Sequence, residues 1–324
     1  MPSRQWNLRN RSDLSPQEIA RIYNPVLRGW LQYYGHFYPS AMYPAQFDRT
    51  LHGRYVRSKQ EQMMNPLFNR YIGIDYSGAQ TPTSSLKGLR ISMADQTKSP
   101  SEVLPPPSPR KYWTRKGLSQ WLVERLSEDC PTLVGIDHGF SFPLQYFERY
   151  HLPLDWSFFL DDFQHHWPTD GDFIYVDFVR YGTAGDGAAR SGNARWRRLT
   201  EVRARSAKSV FHFDAPGSVA KSTHAGLPWL RYLRRQCGDR IHFWPFDGWT
   251  IPEGRSIVVE IYPSMWSRSF EREGRSPDQH DAYVASAWMR NADLDGSLVE
   301  FLDPPLTAAE SDLARIEGWI LGIK

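Results

Sequence analysis

Carboxylates stand at the ends of apolar runs in four places: RYIGIDYSGA around Asp75, LVGIDHG around Asp137, SIVVEIYPS around Glu260, and PDQHDAYVASAW around Asp278 and Asp281. An apolar run that ends in one acid and breaks into Ser-Gly predicts a buried strand delivering that acid to a site at its end. For Asp75 alone, a turn-forming aspartate before Ser77-Gly78 is the plain alternative. For the set, convergence on one site is the better account, because clustered carboxylates are oxygen donors for hard divalent cations. Asp278 and Asp281 are three apart and would share one side of a helix's first turn. Asp278 could equally be an N-cap there. His280, between them, could shuttle a proton or simply face solvent.

The second chemistry-bearing stretch is basic. RWRRLTEVRARSAK brings Arg195, Arg197, Arg198, Arg203, Arg205 and Lys208 together with Trp196, a composition suited to phosphate contact and base stacking. An ordinary solvated face would have the same composition. GSVAKST, Gly217 to Thr223, resembles the end of a phosphate-binding P-loop, but Ala215 and Ala220 stand where its glycines belong. Lys221, Ser222 and Thr223 could still meet a phosphate, or cap the helix carrying WLRYLRR.

These residues need a scaffold, and the chain after Arg70 predicts one. Tyr71–Tyr76, Gly88–Ala94 and a short piece at Val103-Leu104 read as strands, closed by Pro105 to Pro107. Thr114–Ser127 reads as an amphipathic helix, and Leu133–Asp137 as a parallel strand apolar on both faces. Further on, Leu154–His166 reads as a helix, Phe173–Tyr181 as a strand, and Gly182–Ala194 as a mobile glycine-rich loop. Pro277–Asn291 and Thr307–Leu321 read as helices, the last capped by Thr307 and closing the core with Trp319 and Ile320. Three meandering strands, a crossover helix and a parallel strand with a second acid is the order of the ribonuclease H-like α/β fold, a mixed sheet flanked by helices. In that fold, strand ends and a helix converge on one sheet edge. Two Mg²⁺ or Mn²⁺ ions about 4 Å apart there can activate a water and stabilise the leaving oxygen of a phosphodiester.

Composition bounds the rest. The 324 residues, 40% hydrophobic and 14% aromatic, suffice for one large domain or two ordinary ones. Two cysteines, Cys130 and Cys237, form neither a disulfide framework nor a zinc cluster, which predicts a reducing cytoplasm. No stretch reaches the roughly 18 apolar residues of a membrane span. The net charge of +3 hides an asymmetry: residues 1–63 hold 9 Lys/Arg against 4 Asp/Glu, and the remainder is slightly acidic. Ser15-Pro16 opens a helix that Asn24-Pro25 interrupts. A second helical stretch, VLRGWLQYYGHFY, sets Arg28 among Leu27, Trp30, Leu31 and Tyr34.

The wording NPVLRGWLQYYGHFY resembles the maturase-specific domain of group II intron reverse transcriptases, which implies RNA gripping by residues 12–42. Residues 1–63 are thus expected to be a basic helical segment, a truncated relic or a working RNA-binding piece, joined in front of an enzyme that starts near Met64 and runs to 324. That second part resembles an uncharacterised family of ribonuclease H-like nucleases, through GIDYSGA, VGIDHGFSFP, RLTE, KSVFHFDAPGSVAKSTHAGLPWLRYLRR, HFWPFDGW, VVEIYPS, DQHDAYVASAW and EGWILG. The resemblance implies catalytic Asp75, Asp137, Glu260 and Asp281, with Asp278 added as a metal ligand, Mg²⁺ or Mn²⁺ as cofactor, and RNA or DNA as partner. Two other readings remain. Asp75-Tyr76-Ser77-Gly78 and Asp137-His138-Gly139 resemble the Asp-x-Gly phosphate loops of actin-like ATPases and sugar kinases. A non-enzymatic RNA-binding protein derived from a maturase is the third.

Overall fold

The chain divides between Met64 and Asn65 into two units. The computed structural model describes residues 66–106 and 111–324, so the expectations for the N-terminal segment, Arg28 included, lie outside the described residues. A mixed seven-stranded sheet flanked by helices organises the second unit, as the element order predicts. Strands β1 (Arg70–Asp75), β2 (Arg90–Asp95) and β3 (Ser101–Glu102) form the antiparallel meander. Helix α1 (Arg115–Leu126), capped by Thr114, crosses to β4 (Thr132–Asp137), which lies parallel to β1. Helices α2 (Leu144–Tyr150), α3 (Trp156–His166), α4 (Val176–Arg180), α5 (Leu199–Arg203) and α6 (Ala220–Cys237) follow. Then come β5 (Ile241–Phe243), β6 (Ser256–Ile261), α7 (Pro277–Leu294), α8 (Leu298–Leu302), α9 (Ala308–Glu317) and β7 (Ile320–Leu321). The order across the sheet is β3-β2-β1-β4-β6-β5, with β7 also on β6.

Strand alternation sorts the apolar side chains onto two faces. Ile72, Ile74, Val134, Ile136 and Val258 join the larger core with α1, α3 and α6. Tyr71, Leu133, Ile257, Val259 and Ile261 join the second core under Ala285 and Met289 of α7. β6 is buried along its whole length, as a central parallel strand should be.

Three expectations need correction. Phe173–Tyr181 contains a helix, α4: Val176 and Val179, three apart, are fully buried, while Phe173 and Tyr181 are 84% and 71% exposed. Burial at helical spacing overrode the strand propensity of its aromatic and β-branched residues. The last helix ends at Glu317, because Gly318 takes a φ of 81°, which reverses the chain into β7. Trp319 and Ile320 do close the core, as a strand entry. The Gly182–Ala194 stretch is pinned in places: Arg190 pairs with Asp162 at 2.8 Å, and a Cβ at Gly192 would overlap the Phe211 ring.

Candidate active site

Asp75 and Asp137 are cross-strand partners at the ends of β1 and β4. Two residues before each stands a glycine, Gly73 and Gly135, also partners, so all four lie on the face that α7 covers. A Cβ at Gly73 would sit 2.4 Å from the Ala282 carbonyl oxygen and 2.5 Å from the Ser286 nitrogen, and one at Gly135 would sit 2.9 Å from the Met289 sulfur. The repeated Gly-Ile-Asp therefore lets α7 settle onto the strands and brings its N-terminal end to the two acids. Ser276 caps that helix in a capping box with Gln279, and Pro277 occupies its first turn. Asp278 is thus not the cap, and it lies with Asp281 at the acid-bearing end.

The carboxylates sense one another. Burial, followed by the charges of Asp137, Asp278 and Asp281, pushes Asp75 well above the usual carboxylate range. Burial, with Asp281 and Glu260 behind it, pushes Asp137 up to about 8. Asp281 is raised too, chiefly by burial. Among the described residues, Asp75, Asp137, Asp278 and Asp281 accept no hydrogen bond and join no ion pair. Arg90, the cross-strand neighbour of Asp75, is committed to Glu102 at 2.8 Å. Unneutralised, mutually repelling oxygen donors suit a hard cation in their chemistry. As the side chains stand, no group of three His, Cys, Asp or Glu among the described residues closes around a point where an ion could sit.

Glu260 departs from the expected set. Its register partner on β4 is Ile136, not Asp137, so it points to the opposite face of the sheet from the aspartates. There Arg198 grips it with two nitrogens at 2.7 and 2.6 Å, and the Phe140 amide donates at 3.1 Å. Arg198 also binds Glu201 at 2.9 Å and the Glu317 carbonyl at 3.2 Å. Glu317 in turn accepts from the amides of Leu144 and Leu199. This buried network ties β6 to α5 and α9 and leaves Glu260 no free oxygen for a metal.

The basic stretch is corrected for the same reason. Arg198 is 1% exposed and holds Glu260. Arg197 donates to the carbonyls of Glu201 and Ala207, Arg203 pairs with Glu310, and Lys208 donates to the Pro216 carbonyl. Lys221 pairs with Asp177 at 2.7 Å, and Trp196 packs half-buried against the core. Of the cations in that stretch, Arg195 and Arg205 stay exposed with their guanidiniums uncommitted. The two Asp-x-Gly-like loops are filled by α6 and the segment before it: a Cβ at Gly78 would overlap the Lys221 carbonyl, and one at Gly139 would meet Val210 and Thr223. His138 is buried, its Nδ1 at 2.8 Å from the Gly139 carbonyl, and burial lowers its pKa to about 4, so it is neutral near pH 7. His280 is also buried, with Nε2 at 3.0 Å from the Ser267 carbonyl, so it does not face solvent.

Residues 3–64 match the group II intron, maturase-specific domain. That is about a fifth of the chain, and it includes the NPVLRGWLQYYGHFY stretch and Arg28. No curated protein and no solved structure matches the chain. Among the described residues no helix is long and apolar enough to cross a membrane.

One residue that shapes the site escaped the sequence reading. Arg115, fully buried at the start of α1, donates to the carbonyls of Ser77, Ala79 and Gln80 at 2.7 to 3.0 Å. It fixes the loop that leaves β1 directly after Asp75. No pattern flagged it, since a basic residue in a helix's first turn ordinarily faces water. The paired glycines also went unread, although the repeated Gly-Ile-Asp is a signal that could have found them.

Proposed function

We propose that residues 64–324 form a ribonuclease H-like, divalent-metal-dependent phosphodiester hydrolase, carried behind a maturase-like segment that grips RNA. The observation that carries this reading is the pairing of Asp75 with Asp137 beneath the acid-bearing end of α7, four carboxylates that form no ion pair with a described residue. Asp75, Asp137 and Asp281, assisted by Asp278, would hold Mg²⁺ or Mn²⁺. A bound cation would supply Lewis-acid polarisation of a phosphoryl oxygen and a water of lowered pKa. The chain's part is to fix the oxygens: Gly73 and Gly135 set the depth of α7, and Arg115 holds the loop beside Asp75. Glu260 contributes through the Arg198 network by anchoring β6.

The kinase reading has less support, because α6 occupies the space beside Gly78 and Gly139 that a phosphate loop leaves open. Labelled RNA and DNA incubated with the protein and Mn²⁺ or Mg²⁺ test the hydrolase reading. Cleavage is expected from the natural sequence, with losses of at least about a hundredfold in both Asp75→Asn and Asp281→Asn. Activity surviving in both variants would sink it, and structured-RNA binding without any cleavage would favour the non-enzymatic reading.

A further inference from the structure

Between the turns that follow β6 and the start of α7 lies an open cleft of about 430 Å³. Ser264, Ser267, Arg268 and Arg272 come from the turns, and His280 and Asp281 from α7. Asp281 belongs both to this cleft and to the acidic set, so the cleft leads to the candidate active site.

Its cations are set beside the acids with most of their nitrogens unpaired. The cations of the 195–208 stretch are mostly spent on internal carbonyls and carboxylates. Arg268 is exposed and makes no hydrogen bond, ion pair or ring contact with any described residue. Arg272 is exposed and uses only its Nε, on the Arg275 carbonyl at 2.7 Å. Two guanidiniums with free terminal nitrogens, beside acids that form no ion pair, would counter the repulsion those acids exert on an approaching anion. Guanidinium is also the side-chain group best matched to phosphate oxygens. The exposed Ser264 hydroxyl is a further donor. The volume lies in the range of sites for one small ligand, about 300–1,000 Å³, and so fits a single nucleotide unit better than a duplex.

We propose that this cleft holds the sugar-phosphate backbone of a single nucleic-acid strand next to the bond to be cut, with Arg268 and Arg272 each taking a phosphate. The assignment rests on the hydrolase reading for the identity of the substrate. It makes Arg268 and Arg272 substrate-binding residues, a role the sequence placed at 195–208.

The test uses the full-length chain in an Asp75→Asn background with Mg²⁺, so that the strand stays intact, and fluorescein-labelled 12-nucleotide RNA and DNA single strands. The double variant R268A/R272A is expected to bind at least about tenfold more weakly at low salt. Its slope of log affinity against log salt should fall by about 1.4, the value for two lost phosphate contacts on a single strand. R268K/R272K should recover most of the affinity, because phosphate contact tolerates a point charge. Unequal losses with RNA and DNA would tell which strand the cleft takes. Unchanged affinity and slope in R268A/R272A would overturn the proposal. Two results separate it from the hydrolase reading. Natural-sequence protein that cleaves, with R268A/R272A cleaving at unchanged KM, removes the cleft and leaves the hydrolase. Arginine-dependent binding without any cleavage leaves the cleft and removes the hydrolase.

Discussion

At the scale of single residues, the protonation of Asp137 links the site to stability. Its pKa stands at about 8 in the folded chain, against 3.8 ordinarily, because burial and neighbouring acids disfavour the charged form. Between those values the folded state holds a proton that the unfolded state has released, so stability falls as pH rises from about 4 to about 8. Asp137→Asn, which cannot charge, should therefore melt higher than the natural sequence at pH 8 in EDTA, by about 2–4 °C for each kcal/mol relieved. The gap should narrow markedly at pH 5 and vanish only below about pH 4, and an equal gap at pH 8 and pH 5 would refute the argument. Arg198 illustrates the opposite case. Removing it by Arg198→Ala leaves Glu201 and Glu260 buried without a counter-charge, with an expected loss of about 3–5 kcal/mol in denaturant unfolding. A cost under about 1 kcal/mol would mean that the network matters little.

Elements set the distances. The meander, the crossover helix α1 and the parallel strand β4 follow from alternation, prolines and apolar runs, which is why most of their bounds were legible to within a residue or two. What the pattern could not supply was parity. Val258-Val259-Glu260 reads as one more apolar run ending in an acid, yet the register of β6 against β4 turns Glu260 away from Asp137. A shift of one residue would have reversed this. The contact between α7 and β1 depends on Gly73. Gly73→Ala would place a methyl against backbone atoms of α7, which cannot rotate aside. It should cost about 1–3 kcal/mol, and it should abolish the rise in melting temperature that the proposed metal site predicts for the natural sequence in Mn²⁺. A variant that keeps the full Mn²⁺ shift would show that the depth of α7 does not govern the acids.

For the whole molecule, the two units are expected to bear separate tasks. The maturase-like match ends at residue 64, and the second unit has its own sheet and two cores. A protein beginning at Asn65 should lose most of its affinity for structured RNA in filter binding at moderate salt. The proposed metal-dependent cleavage of short strands should survive the truncation, because the acids and the cleft all lie beyond residue 65. Full RNA affinity in the shortened protein would move the RNA contact into the second unit.

The amino-acid sequence by itself determined the elements and the acids at their ends. Strand alternation, helix caps and apolar runs are local, so Asp75 after Ile74, Asp137 after Ile136 and Asp281 on an Ala-rich helix could be read directly. Tertiary structure decided which charges remain free. Arg197, Arg198, Arg203, Lys208 and Lys221 look like one basic patch in the chain, but Glu260, Glu310 and Asp177 are brought to three of them from elsewhere, and Glu201 and the carbonyls of Ala207 and Pro216 take up the rest locally. Whether a charge is spent on the fold or offered to a ligand depends on neighbours distant in sequence. For that reason the uncommitted cations beside the acids, Arg268 and Arg272, emerged only from the folded chain.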